Sequence, residues 1–362
     1  MKNTFIPVAA AALLFSAQAA QAQDSVTLSG VVDAYAGSRQ LSGGLRLSWV
    51  DSGGMTTSQL NFNGSEDLGG GLKAEFALGL FLRADTGEVG RFTGDTFFGR
   101  SSYVGLSGSL GTVRLGRQST GNFLNFLRTN SFGDSPTFGP AFLHTWISAV
   151  GQGTQFLSPG APPARRALTG ALAPTDSAWN NAVGYISPNL GGVKVTAQWA
   201  PSEATGVGSR TGLSAFYANG PLNLALATEQ MGNAAVPATG PAAAVLAKQR
   251  TWHASGAYAF GFGRLSAGYI ETQRDYAAIM DDKIRTWHLG ASIPVGAGAV
   301  LFQTANSKQT PDSGAATTRT TTSVGYDYSF SRRSDLYAVF MKDKFTDNAS
   351  GNSFGIGLRH RF

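Results

Sequence analysis

The last eleven residues constrain the solvent in which this chain can fold. In Asn352–Phe362 (NSFGIGLRHRF), Phe354, Ile356, Leu358, His360 and Phe362 alternate with Ser353, Gly355, Gly357, Arg359 and Arg361. Successive side chains of a strand point to opposite faces, so this segment has one apolar face and one polar or small face. It runs to the very end of the chain and finishes on a phenylalanine. An exposed terminal aromatic is out of place in a soluble sheet. In a transmembrane barrel the last strand pairs with the first to close the wall, and aromatics mark the membrane boundary.

The same period of two recurs along most of the chain. Val26–Ala36 reads as the first strand, Ser38–Met55 as a Ser/Gly-rich loop and Thr56–Ser65 as the second strand. In Leu72–Arg83 the residues Leu72, Ala74, Phe76, Leu78, Leu80 and Leu82 oppose Lys73, Glu75, Ala77, Gly79, Phe81 and Arg83. An unbroken apolar face opposite charged residues is the pattern of lipid outside and water inside. Hairpins follow at Arg100–Ser107 with Gly111–Gln118, Asn180–Ser187 with Val193–Ala200, and Arg210–Ala218 with Leu222–Gln230. Three more are Gln249–Phe260 with Arg264–Arg274, Lys283–Ile293 with Ala299–Ser307, and Arg319–Phe330 with Leu336–Lys344. Turns within pairs are short and links between pairs are longer and polar, the layout of an outer-membrane barrel. The expected fold is all-β: a closed antiparallel transmembrane barrel of about sixteen strands, an even number with tilted strands of about ten residues. In Arg100–Ser107 and Leu336–Lys344 both faces carry apolar groups, so the pattern alone leaves the lipid side open there; between Ser119 and about Ala178, a stretch holding six prolines, there is no sustained alternation. An irregular segment of that length inside a compact domain is commonly functional.

Composition agrees with a wall in lipid. Charged residues are 14% of the chain and 47 residues are glycine, against roughly 25% charged in an ordinary soluble domain. No run is long and apolar enough for a membrane helix. Residues 1–22 read as a secretory signal: Lys2, an apolar stretch from Val8 to Phe15, and the small-x-small Ala20-Gln21-Ala22. The barrel is then expected over 23–362, with 119–178 as the inward segment. The absence of cysteine excludes a disulfide framework and a thiolate metal site. The net charge of +6 is small and scattered, and does not suggest nucleic acid.

Six stretches resemble the trimeric general-diffusion porins of Gram-negative outer membranes. They are VTLSGVVDAY from Val26, FNGSEDLGGGLKAEF from Phe62, GRSSYVGLSGSLGTVRLGRQ from Gly99, YISPNLGGVKVTAQW from Tyr185, YDYSFSRRSDLY from Tyr326 and GLRHRF from Gly357. They stand in the family's order over essentially the whole chain. The resemblance implies sixteen strands, a homotrimer embedded in outer-membrane lipid and lipopolysaccharide, and passage of small hydrophilic solutes. It also implies that the loop after the fifth strand folds inward to narrow each pore, with the GDSPTFGP run from Gly133 as its tip. Two positions depart from the family. Gln59 stands where an arginine commonly faces the constriction, and Ala178 stands at a second such place. Arg100 matches a family constriction arginine.

Opposite charges on wall and loop create a transverse field in a narrow, low-dielectric passage. The wall candidates are Arg83 and Arg100, with Gln59 at the substituted position; the loop candidates are Asp134 and Arg128. Arg83 either lines the pore or is solvated near the outer end of its strand, and Asp134 either faces the pore or caps a turn. Arg165 and Arg166 read as a solvated loop surface, Asp281-Asp282 as a solvated acidic turn, and the inward-facing His253 and His288 as wet lumen residues. His144, His253, His288 and His360 lack partners at metal-ligand spacing. No nucleophile elbow or phosphate loop is present, so neither an enzyme nor a cofactor is expected. The expectation is a passive, weakly anion-leaning channel. A substrate-specific channel on the same fold is the alternative, suggested by Phe123, Phe126, Phe132, Phe138, Phe142 and Trp146 in the long loop.

Overall fold

The computed structural model describes residues 25–92, 94–146, 177–203, 208–235, 245–276 and 281–362. The expected signal at 1–22 and the arginines at 165 and 166 lie outside them. The strands are β1 (Ser25–Arg39), β2 (Leu47–Ser52), β3 (Gln59–Gly69), β4 (Leu72–Phe81), β5 (Ser101–Gly108), β6 (Gly111–Ser119), β7 (Ala178–Ile186), β8 (Val193–Ala200) and β9 (Arg210–Asn219). The chain continues through β10 (Leu222–Ala235), β11 (Val245–Phe260), β12 (Gly263–Tyr276), β13 (Asp282–Val295), β14 (Gly298–Pro311), β15 (Thr317–Ser329), β16 (Ser334–Phe345) and β17 (Gly351–Arg361). Each pairs antiparallel with its neighbours in one sheet.

The sheet closes on itself. Val31–Ser38 of β1 pairs with Arg361–Phe354 of β17, and the Gly30 and Phe362 amides and carbonyls exchange hydrogen bonds at the seam. Closure satisfies every strand's hydrogen-bonding edge without water, which is what allows strands to cross lipid at all. β2 and β3 pair with the two halves of the same strand, Ala34–Arg39 and Ser25–Val31 of β1. They are one wall strand interrupted at residues 53–58, so the ring has sixteen walls. The sequence reading of Ser38–Met55 as loop is thus corrected: Leu47–Ser52 is wall. Its Gly53-Gly54 interruption hid it from a search for sustained alternation.

The outer face is apolar as expected. Val324, Phe340, Phe354, Ile356 and Leu358 are exposed. Their in-facing neighbours Ser323, Met341, Ser353, Gly355 and Gly357 are buried. Aromatics gather at the short-turn rim, where Phe260 stacks on Phe262 (5.3 Å) and Tyr328 meets Phe330 edge-on (5.2 Å). At the other rim Leu80 is buried, unlike Leu72 and Phe76 lower on β4. There the 82–100 connection folds back, with the Gly90 amide donating to the Phe81 carbonyl.

The inward segment begins with α1 (Gly121–Arg128) and later forms α2 (Pro140–Thr145). Thr120 caps α1 by accepting the Phe123 amide, and Pro140 starts α2 where its missing N–H costs nothing. Two apolar clusters hold this segment to the wall. Phe132, Phe138 and Leu143 pack with Tyr35, Met55, Leu301, Tyr337, Val339 and Met341. Phe126, Ala141 and Phe142 pack with Ile270 and Ala305. Each fully buried phenylalanine contributes roughly 1.5–3 kcal/mol. The loop aromatics therefore serve as anchors.

Candidate functional site

The interruption of the second wall strand is organised by one carboxylate. Asp33 on β1 is fully buried. Its Oδ2 accepts the Met55 and Thr56 amides (2.9 and 2.7 Å), and its Oδ1 accepts the Gly54 amide (3.1 Å) and the Tyr337 hydroxyl. Its own amide and carbonyl are tied to the Ser58 hydroxyl (2.9 and 3.0 Å). A carboxylate accepts several donors at once, so it can hold a backbone bend that has no ladder partner. The bend leaves the Gly53 and Gly54 carbonyls free to receive the inward segment. Thr137 donates to the first (3.0 Å) and Ser135 to the second (2.6 Å).

This landing places Asp134 beside the bend. Arg359 Nη1 on β17 donates to the Thr56 hydroxyl (2.9 Å), and the Thr56 side chain in turn bonds the Asp134 carboxylate. Arg100 and Arg359 both act electrostatically on Asp134. Burial pushes its carboxyl above the usual carboxylate range, while the Thr56 bond and the two guanidiniums pull it back down. Arg359 is also held by Asp335 (3.0 Å) and Asp327 (2.8 Å). Arg100 is fixed through its backbone, whose amide donates to the Gly79 carbonyl (3.1 Å). Arg117 props the same segment, with Nε on the Gly99 carbonyl (2.7 Å) and Nη1 on Asn180 (2.7 Å).

Of the five residues singled out in the sequence, Arg100 and Asp134 are brought together. Gln59 begins β3 on the same face as the inward, buried Asn61, directly after Ser58. Arg83 instead pairs with Glu88 inside the 82–100 connection, and its backbone amide donates to the Glu88 carbonyl (2.8 Å). Arg128 lies over the Phe216 ring (4.6 Å), and its carbonyl accepts Arg264. Arg359, Thr56 and Asp33 escaped notice. The alternation of the closing strand puts Arg359 on the water face, but nothing local says it meets residue 134.

Three further expectations change. His253 and His288 face inward but are sealed beneath the segment: they are 3% and 1% exposed, with Phe126 against both rings. Parity gives the face and not what covers it. His253 bonds Asn122 of α1 (2.7 Å), and buried His144 of α2 sits between Ser307 (2.7 Å) and Thr321 (2.8 Å). Asp282 is no solvated turn residue either. It opens β13 and pairs with Arg274, both largely buried.

The lumen towards the short-turn rim is basic. Lys73, Arg114, Lys194 and Arg264 share the inward faces of β4, β6, β8 and β12. Glu75 engages Arg114 (2.6 Å). Among the described residues Lys194, Arg264 and Arg128 have no carboxylate partner.

A family model described as Gram-negative porin matches residues 9–348. The chain belongs to the Gram-negative porin family. This porin is 33% identical to outer membrane porin protein 32 of Delftia acidovorans, an alignment covering 95% of this chain and 90% of that one. It is 27% identical to an outer membrane porin protein of Bordetella pertussis over the full length of both. Among solved structures, the anion-selective porin from Comamonas acidovorans superposes with a TM-score of 0.76 at 28% identity, covering 94% of this porin and all of that chain. The porin is thus an outer-membrane diffusion channel, and the interrupted wall with its docked segment is the built feature of its lumen.

Proposed function

We propose that this porin passes small hydrophilic solutes and ions passively with a weak preference for anions. The observation that carries the reading is the docking of the loop tip on the wall bend, which brings Asp134 within electrostatic reach of Arg100 and Arg359. Cations on the wall and an acid on the loop make a transverse field, which orders polar solutes and slows apolar ones. Arg359 is partly neutralised by Asp327 and Asp335, which keeps the preference weak. The unpartnered cations towards the short-turn rim give it its sign. Selectivity for anions in the Comamonas acidovorans structure supports the same sign. Arg83 and Arg128 fall outside this constriction in our reading, and Gln59 lines its approach. The loop aromatics are used in packing, which favours general diffusion over a solute-specific aromatic track.

The working unit we propose is a homotrimer surrounded by outer-membrane lipid and lipopolysaccharide, supported by the six family-like stretches, and it performs no catalysis. The test is planar-bilayer recording of the purified protein in a salt gradient. Stepwise conductance, in threes for a trimer, is expected with a reversal potential on the anion side. Arg100→Glu moves that potential toward cations. No conductance at any protein concentration overturns the reading, and an unmoved potential removes Arg100 from the constriction.

A further inference from the structure

Arg100 breaks the alternation of its own wall. On β5 the Tyr103 ring lies under the Arg114 guanidinium (4.6 Å), which binds Glu75 in the lumen, so Tyr103 and Ser101 face inward. Ser102, Val104 and Leu106 then face outward, and the last two are exposed. Continued by one residue, the same period would send Arg100 outward as well. It does not go there. A Cβ added at inward-facing Gly79 would meet both Ser101 Oγ (2.7 Å) and Arg100 Cβ (3.3 Å). Arg100 also lies in the field of Tyr103 and Asp134. Two successive side chains therefore enter the lumen, and the backbone departs from strand geometry at Gly99-Arg100.

Arg117 holds that departure from the other side of the wall. On β6, Gly116 and Gln118 face inward, and Arg117 shares the outward parity of the exposed Val113 and Leu115. A bare guanidinium against lipid is unfavourable, yet Arg117 is only 8% exposed. Its Nε donates to the Gly99 carbonyl (2.7 Å), and its Nη1 to Asn180 Oδ1 (2.7 Å) and the Ala178 carbonyl (3.4 Å). It stands at a register shift: Gly116 pairs with Ala182 and Gln118 with Trp179, so Arg117 opposes both Asn180 and Asn181. Bulges of this kind re-aim side chains. The planar guanidinium donates along several fixed directions at once. It therefore fixes the Gly99 carbonyl relative to the start of β7.

We propose that Arg117 is a positioning residue for ion selectivity: from the outer side of the wall it holds the Gly99 carbonyl and so turns Arg100 into the pore. The inference rests on the placing of Arg100 at the constriction given above, and adds what keeps it there. Arg117 itself lies off the ion path, on the far side of the sheet from Asp134. A lysine at this position keeps the charge and loses the fork of donors, so Arg117→Lys separates the aim of Arg100 from the charge behind it.

The test is planar-bilayer recording of the full-length porin in a salt gradient, joined to thiol labelling. Arg100→Gln should move the reversal potential toward cations. Arg117→Lys should reproduce at least half of that shift, and should add nothing to it in the double variant, because it acts through residue 100. Asn180→Ala removes one partner of Arg117 at an exposed position. It should give a smaller shift of the same sign, and it carries the test if Arg117→Lys does not fold. The chain has no cysteine, so Arg100→Cys offers a single thiol to a charged, membrane-impermeant methanethiosulfonate reagent. Labelling should slow tenfold or more when Arg117→Lys is added, and less steeply with Asn180→Ala. Equal labelling rates, or shifts that add independently of residue 100, overturn the inference. An unmoved potential in Arg100→Gln together with slowed labelling would count against the constriction reading alone and still support the anchoring of Arg100 by Arg117.

Discussion

Asp33→Asn isolates the role of the buried carboxylate that holds the wall open at residues 53–58. In the parent, each carboxylate oxygen accepts two donors: Gly54 N–H and Tyr337 O–H on one, Met55 and Thr56 N–H on the other. Asparagine keeps the shape but turns one oxygen into an NH₂. Whichever way the amide is oriented, two buried donors then face another donor. At roughly 1–3 kcal/mol for each buried polar group left unsatisfied, the bend loses about 2–6 kcal/mol. Tyr337→Phe removes only one donor to a charged acceptor and should cost about 1.5–3 kcal/mol. The loop tip is bonded to the carbonyls of this bend, so the loss should also appear as current noise. The assays are urea unfolding in lipid vesicles, followed by tryptophan fluorescence, and single-channel recording. A loss below about 0.5 kcal/mol for Asp33→Asn, with a quiet open channel, would refute the reasoning, since one unsatisfied buried donor alone costs more than that.

Asp134→Asn removes the loop's acid from the field of Arg100 and Arg359, so the reversal potential should move toward anions; an unchanged value places Asp134 off the ion path. His144 lies in α2 of the inward segment, against the wall, where burial and nearby Arg319 hold its pKa well below the ordinary value of about 6.5. Undocking lets it take up a proton, so docking is fully favoured above about pH 6.5 and weakens as pH falls toward the docked pKa. Channel flicker should rise with acid in the parent and rise less in His144→Gln; equal acid response in both would exclude this histidine. Gly355→Ala places a methyl 2.6 Å from the Phe138 ring. Overpacking of this kind costs about 1–3 kcal/mol, and should loosen the loop tip and raise conductance; an unchanged melting point and conductance would show that Phe138 does not anchor it.

The wall is legible in the sequence because lipid and water impose a period of two on every spanning strand. From Val193–Ala200 to the closing strand, hairpin positions follow from alternation alone. What alternation cannot supply is the partner of an inward side chain. Arg359, Thr56, Asp134 and Asp33 meet through a fold that joins distant segments, and Arg359 to Thr56 spans 303 residues. Arg100 and Asp134 stand out because a motif and a loop tip mark them. Arg83 misleads because its parity on β4 continues past the strand's end, where the chain has already turned to meet Glu88. Parity places the histidines on the correct face but makes them look wet, because the pattern along a strand carries no record of a helix laid across it.

The seam of the barrel has a consequence for the order of assembly. The bend and the loop tip docked on it draw on the first strand for Asp33, the middle of the chain for Asp134 and the last strand for Arg359. Arg359 reaches Thr56 only across the β1–β17 seam, so the side-chain bridge beneath the loop tip is complete only once the terminal strands have joined.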